Sequence, residues 1–261
     1  AVATLTVRDP APVANNDTLE TKEDQAKSIM LTGRSEQNRG LNFVVLGQPV
    51  NGKLSGAAPN LIYTPNTNAN GSDSFTFKVN DGVQDSAPAT VNITINPVND
   101  APTLAAIGNP TAILEDAGLQ TVNLSGIGAG GGENQTLTVT ASSSNPALIP
   151  HPSVSYTSPN ATGSLSYTPV ANTGGTATII VIVSDNGGTS SGGVAAVTNT
   201  FAVTVTAVND APTLAAIGNP AAILEDAGLQ TVNLSGISAG GGETQALTVT
   251  ASSSNIALIP N

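Results

Sequence analysis

The chain has 261 residues, a net charge of −11 from 18 acidic and seven basic side chains, one histidine and no cysteine. That length allows about two domains and part of a third, each able to bury its own core. The charge leaves no basic stripe for nucleic acid, the missing cysteines exclude disulfides and thiolate metal sites, and no apolar run is long enough to span a membrane.

Residues 1–10 read as the last strand of a preceding repeat, because Leu5 and Val7 alternate with polar neighbours as Ile93 and Ile95 do further on. The stretch Arg8-Asp9-Pro10-Ala11-Pro12 then opens a first bead, residues 11–99. Within it Phe43–Leu46, Leu61–Tyr63 and Phe75–Val79 are short alternating runs between turn residues, which predicts strands. In the last run Phe75, Phe77 and Val79 face one way and Thr76 and Lys78 the other, one face for a core and one for water. Asn80-Asp81-Gly82 predicts a hairpin turn after it.

The bead ends at Val98-Asn99-Asp100-Ala101-Pro102-Thr103, and the same six residues return as Val208-Asn209-Asp210-Ala211-Pro212-Thr213. A period of about 110 residues is a whole small domain and exceeds the solenoid repeats. The second bead, 100–209, has predicted strands at Leu137–Thr140, Leu165–Tyr167, Ala177–Val183 and Phe201–Val205; the third of these is apolar on both faces, as a central strand would be. Residues 210–261 begin a third bead. They copy the second except where Thr111, Gly128, Asn134, Thr136 and Pro146 become Ala221, Ser238, Thr244, Ala246 and Ile256. They amount to the N-terminal half of a repeat, and half a sandwich leaves strand edges open. The expectation is that more chain, or another chain, completes it.

Charge is unevenly spread. Arg8, Lys22, Lys27, Arg34, Arg39, Lys53 and Lys78 lie in or just before the first bead, and no cation follows Lys78. The later carboxylates therefore have no salt-bridge partner in their own beads, and are either hydrated or await a metal ion.

The recurring Asn-Asp-Ala-Pro joint, the Glu-Asp pair that follows it in each bead, Tyr63-Thr64-Pro65-Asn66 and the run from Asp73 to Gly82 together resemble the cadherin-like, immunoglobulin-like tandem repeats of large bacterial surface adhesins of the repeats-in-toxin type. The resemblance covers essentially the whole chain. It implies an all-β fold of tandem seven-stranded Greek-key β-sandwiches stacked end to end, with calcium commonly stiffening the joints. In cadherin strand order the joint after strand G meets the A–B turn of its own bead and the B–C and F–G loops of the next. The first joint would then gather Glu23, Asp73, Asn99, Asp100, Glu133 and Asp185, and the second Glu115, Asn209, Asp210 and Glu243. Oxygen-only sets of this kind suit Ca2+, which takes six to eight oxygens in flexible geometry. The family's Asp-x-Asp is missing from the B–C loop, where Ser35-Glu36-Gln37-Asn38 or a lone Glu stands instead. Taken singly, each acidic residue also reads as an ordinary turn former.

Other constellations carry less. His151 lies between two prolines with no cysteine to pair with, so neither a nucleophilic site nor an enzyme is expected. Gly130-Gly131-Gly132 lacks the lysine and helix of a phosphate loop and reads as flexible loop. The resemblance thus implies a structural stalk segment of an extracellular bacterial fibre or adhesin, whose partners are the neighbouring repeats of its own chain. The alternative is a binding module for cell-surface polysaccharide, or for self-assembly with other copies into a sheath, filament or surface layer. The aromatic residues Tyr63, Phe75, Phe77, Tyr156, Tyr167 and Phe201 are expected in the cores, which does not favour glycan stacking.

Overall fold

The computed structural model describes residues 9–260, so the strand expected in residues 1–10 lies outside the described residues but for its last two positions. The first bead contains β1 (Val13–Ala14), β2 (Asp17–Lys22), β3 (Lys27–Met30), β4 (Gly33–Arg34), β5 (Asn42–Gly47), β6 (Gly52–Ala57), β7 (Asn60–Pro65), β8 (Gly71–Asn80) and β9 (Ala89–Asn96). One sheet runs β2-β9-β8-β5 and the other β3-β7-β6, with β1 pairing β4 separately. Only β2 against β9 is parallel in this bead; the other ladders are antiparallel. The chain from Val13 to Lys22 is thus split between two partners, β1 beside β4 and β2 beside β9.

Period-two patterning explains the packing. Along β9 Val91, Ile93 and Ile95 are buried while Asn92 and Thr94 are not, and along β8 Phe75, Phe77 and Val79 face the same core. Ile29, Leu31, Leu61 and Tyr63 join them from β3, β7 and the turn between β3 and β4, so both sheets close on one apolar cluster. This is a β-sandwich. Asp81 to Gln84 form the hairpin turn predicted after β8, with Asp81 N–H donating to the Gln84 carbonyl at 3.3 Å.

The second bead repeats the topology with β10 (Ile113–Leu114), β11 (Gln120–Ser125), β12 (Leu137–Ser143), β13 (Ser153–Ser155), β14 (Thr162–Tyr167), β15 (Gly175–Asp185) and β16 (Ala196–Thr206). Its sheets run β10-β16-β15-β12 and β11-β14-β13, with β10 parallel to β16. β15 is central, as its apolar run predicts: Ala177, Ile179, Val181 and Val183 are buried, and Ile180 and Ile182 are half-buried on the other face.

Residues 211–260 form no named strand among the described residues, in spite of their near identity to 101–150. They keep local features such as the Thr213–Ser238 bridge and the bond from Ala215 N–H to the Ser235 carbonyl. By contact density the chain divides into two compact units. One takes the described residues up to Pro102 together with Ala129–Thr136 and Asp185–Ala196, and the other takes the remainder. The first joint and both loops expected around it therefore belong to one unit.

Candidate metal centre

The first joint starts where β9 stops at Asn96. Glu23 follows β2 directly, its backbone N–H donates to the Asn96 carbonyl at 3.0 Å, and its carboxylate accepts the Val98 N–H. Glu23 is only 7% exposed, so a leaving strand and a buried carboxylate satisfy each other at this end of the bead. Two residues on, Glu133 Oε2 accepts the Asp100 N–H at 3.1 Å. Asn99 is held from three sides: its carbonyl accepts the Val194 N–H at 3.0 Å, its amide donates to the Val194 carbonyl at 2.8 Å, and its Oδ1 accepts from Gln135 Nε2. At the end of β15, Asp185 Oδ1 accepts the Gly187 N–H at 2.9 Å, and in the loop after it Asn186 Oδ1 accepts the Thr136 N–H at 3.0 Å.

Gly130-Gly131-Gly132 is a shaped turn, which corrects its reading as flexible loop. All three have positive φ, at 87°, 47° and 80°. A Cβ on Gly131 would collide with Asp100 Oδ2, and one on Gly187 with Asn99 Oδ1, so the chain passes too close to the joint for any side chain. After all these contacts Asp100 Oδ2, Asp185 Oδ2 and Gln135 Oε1 remain buried without a hydrogen-bond partner. Stranded oxygens of this kind are costly unless something positive meets them.

The second joint repeats the design. Glu115, 4% exposed, accepts the Val208 N–H at 2.8 Å, and Glu243 Oε2 accepts the Asp210 N–H at 3.2 Å. Gly240, Gly241 and Gly242 again have positive φ, a Cβ on Gly241 would strike Asp210 Oδ2, and that oxygen is buried without a partner. Asn209 differs from Asn99, its amide donating only to the Asp210 carbonyl at 3.1 Å.

Residues 9–94 match the family model described as bacterial Ig domain. The first bead is thus similar to a bacterial Ig domain, and both beads have an Ig-like β-sandwich fold. No curated protein sequence matches this one. Among solved structures, repeats 22–24 of mouse cadherin-23 are similar at 15% identity over 80% of this chain and 71% of that one, with a TM-score of 0.48. Repeats 1–2 of human mucin-like protocadherin are similar at 16% identity over 76% and 98%, with a TM-score of 0.44. An endo-fucoidan hydrolase of glycoside hydrolase family 107 is similar at 19% identity and a TM-score of 0.33, over 78% of this chain and 30% of that one; for a second such hydrolase the share is 29%. The chain thus spans less than a third of either hydrolase.

Of the residues expected at the first joint, Glu23 and Glu133 bond to the backbone N–H groups of Val98 and Asp100, Asn99 bonds to Val194 and Gln135, and Asp185 bonds within its own loop to Gly187 and Ala195. Asp73 is engaged elsewhere. Its two oxygens accept the N–H groups of Val50, Asn51 and Ser74, all within 2.9 Å, and the Tyr63 hydroxyl at 2.7 Å. Burial pushes its carboxyl up, but these four bonds outweigh burial and hold it below the usual aspartate value. Among the described residues no group of three or more His, Cys, Asp or Glu is arranged to hold a metal ion. Any cation at the joint must therefore take part of its shell from amide or backbone carbonyls. Gln135, which the sequence reading passed over, is the side chain best placed to supply one. Only its position beside Glu133 hinted at this. His151 is structural, its Nδ1 accepting the Ser143 N–H at 3.0 Å.

Proposed function

We propose that the chain is a spacer segment of an extracellular bacterial surface protein, in which Ig-like repeats are joined by acidic latches that bind calcium. The observation that carries this reading is the doubled joint: at each one, Glu residues hold two backbone N–H groups while the Asp of the Asn-Asp pair keeps a buried oxygen with no donor. That the design is repeated in this detail supports reading it as a property of the joint rather than as chance turn chemistry. The donor set is all oxygen, which suits calcium and offers nothing to zinc.

At the first joint Asp100 and Asp185 would hold the ion, with neutral oxygen from Gln135 or Asn99 and with Glu23 and Glu133 close by. At the second, Asp210 would do so with Asn209, Glu243 and Glu115. The bound ion supplies positive charge and a bridge between carboxylates that otherwise repel one another. Without it, the chain's own residues still latch the joint through backbone hydrogen bonds. Calcium thus tightens a junction that is already in place. A polysaccharide-binding role is not favoured, since Tyr63, Phe75, Phe77, Tyr167 and Phe201 are all buried.

Thermal unfolding with excess chelator and with millimolar calcium tests the reading. Calcium is expected to raise the midpoint, and the paired change Asp100→Asn with Asp185→Asn to remove the part of the rise that belongs to the first joint. Equal midpoints with chelator and with calcium would defeat it.

A further inference from the structure

The two ends of the first Ig-like repeat hold their carboxylates in different company. In sequence Asp9-Pro10-Ala11-Pro12 corresponds to Asn99-Asp100-Ala101-Pro102, so Asp9 stands where Asn99 does. Asp81, following β8, stands for Asp185 at the end of β15. The correspondence extends to single atoms. Asp81 Oδ1 accepts the Val83 N–H at 3.0 Å, two residues on, just as Asp185 Oδ1 accepts the Gly187 N–H. The two ends part at the other oxygens. Asp100 Oδ2 and Asp185 Oδ2 are buried with no partner, whereas Asp9 Oδ2 and Asp81 Oδ2 both accept from Arg39 Nη1, the latter at 3.2 Å.

Arg39 precedes β5 by three residues, in the loop that answers to Gly130–Thr136 of the second bead. Asn38-Arg39-Gly40-Leu41 corresponds to Asn134-Gln135-Thr136-Leu137, so the uncharged Gln135 stands where Arg39 does, and no lysine or arginine follows Lys78. Lys22, the one cation near the first joint among the described residues, donates to the Ser191 carbonyl at 3.0 Å and not to a carboxylate. Asp81 has a fully buried side chain, so its charge needs a partner at close range. Gln84 Nε2 ties the same place down by donating to the Asp9 carbonyl at 2.7 Å.

We infer that Arg39 is a built-in cation that takes the place of a metal ion between Asp9 and Asp81, making the N-terminal end of the first bead a closed, metal-independent latch. The inference rests on reading the later joints as cation sites. Its chemistry is plain: a guanidinium offers fixed N–H donors to two carboxylates at once and cannot dissociate into solvent as an ion can. The hydrogen bonds to Asp9 and Asp81 also hold the Arg39 guanidinium above its ordinary pKa, so the latch keeps its charge at any physiological pH. One chain would then combine an ion-insensitive end with ion-sensitive joints.

The test compares the whole chain with Arg39→Gln and Arg39→Lys, counting calcium bound per chain by equilibrium dialysis and following thermal midpoints with chelator and with calcium. Extracellular modules bind calcium at about 10⁻⁴–10⁻³ M, so the titration runs through the millimolar range. Arg39→Gln is expected to bind one more calcium than the parent and to lose midpoint in chelator, with calcium restoring it. Arg39→Lys, which keeps a cation in place, is expected to gain no site. If Arg39→Gln binds the parent's number of ions, or loses the same midpoint with and without calcium, the inference is overturned. The outcome is separable from that of the spacer reading. A parent that binds calcium with no gain in Arg39→Gln sinks the inference alone, and a parent that binds none while Arg39→Gln binds one sinks only the reading of the later joints.

Discussion

At the scale of single residues, Asp73 shows how a carboxylate expected at a joint becomes a brace inside a bead. The sequence places it near the right end, but it lies third in β8, opposite Ile93, within reach of the Tyr63 hydroxyl and the Val50–Asn51 turn. Tyr63 is fully buried against Gly52, where a Cβ would meet its ring, so the hydroxyl has no other outlet. No pattern in the sequence announces a pairing between residues ten apart on different sheets. The direction of the Asp73 shift gives a pH prediction. Its carboxyl sits lower in the folded chain than the usual value of about 3.9, so ionised Asp73 stabilises the fold above that pH and the stabilisation is lost as pH falls. Asp73→Asn should therefore have a lower urea midpoint than the parent at pH 7, with the gap narrowing below about pH 4. A gap that stays constant into strong acid would show that the hydrogen bonds do not depend on the charge. Glu23, Asp100 and Glu133 were legible for a different reason: they recur in register, and what the sequence could not convey was that Glu23 and Glu133 are spent on backbone N–H groups.

Among the elements, legibility follows the strength of the period-two pattern. β8, β9, β15 and β16 alternate cleanly or run apolar throughout, and they form the centres of their sheets. β6 (Gly-Lys-Leu-Ser-Gly-Ala) and β13 (Ser-Val-Ser) carry one large apolar residue each and are edge strands, held by a neighbour's ladder more than by their own burial. Glycine runs mislead for a related reason. A sequence gives composition but not φ, and Gly130 and Gly131 become specific only because Asp100 and Ala101 press against them. The central position of β15 has a measurable consequence. Ile179 is fully buried and Ile180 only half so, although they are the same residue side by side. Ile179→Ala should cost about 2–5 kcal/mol in chemical denaturation, the range for emptying a core site, and Ile180→Ala clearly less. Equal losses would mean that both faces of β15 are packed alike.

For the whole molecule, residues 101–150 and 211–260 are a controlled comparison, since one sequence at all but five positions appears in two settings. Leu137 is 5% exposed and Leu247 40%; Ile149 is fully buried and Ile259 is 52% exposed. Local structure survives in both: the Asp210–Glu243 contact, the positive-φ glycines and the turn from Asn255 to Ile259 repeat their counterparts. What differs is every strand. β10 pairs with β16, β11 with β14, and β12 lies beside β15, so each strand of the first half of a bead takes its ladder from the second half. Among the described residues, 211–260 have no such partner strands. Turns and capping contacts are closed by neighbours within about thirty residues, whereas the sheets need partners much further along, and only with them does burial repay the cost of ordering the chain. A chain lengthened at its C-terminus by a copy of residues 151–207 should therefore gain β-structure by circular dichroism. Its amides over 230–235 and 247–253 should become as slow to exchange as those of β11 and β12. Unchanged exchange in those segments would mean that Thr111, Gly128, Asn134, Thr136 and Pro146 matter more to the second bead than its distant strands do, which their placement in turns and loops or at a strand edge argues against.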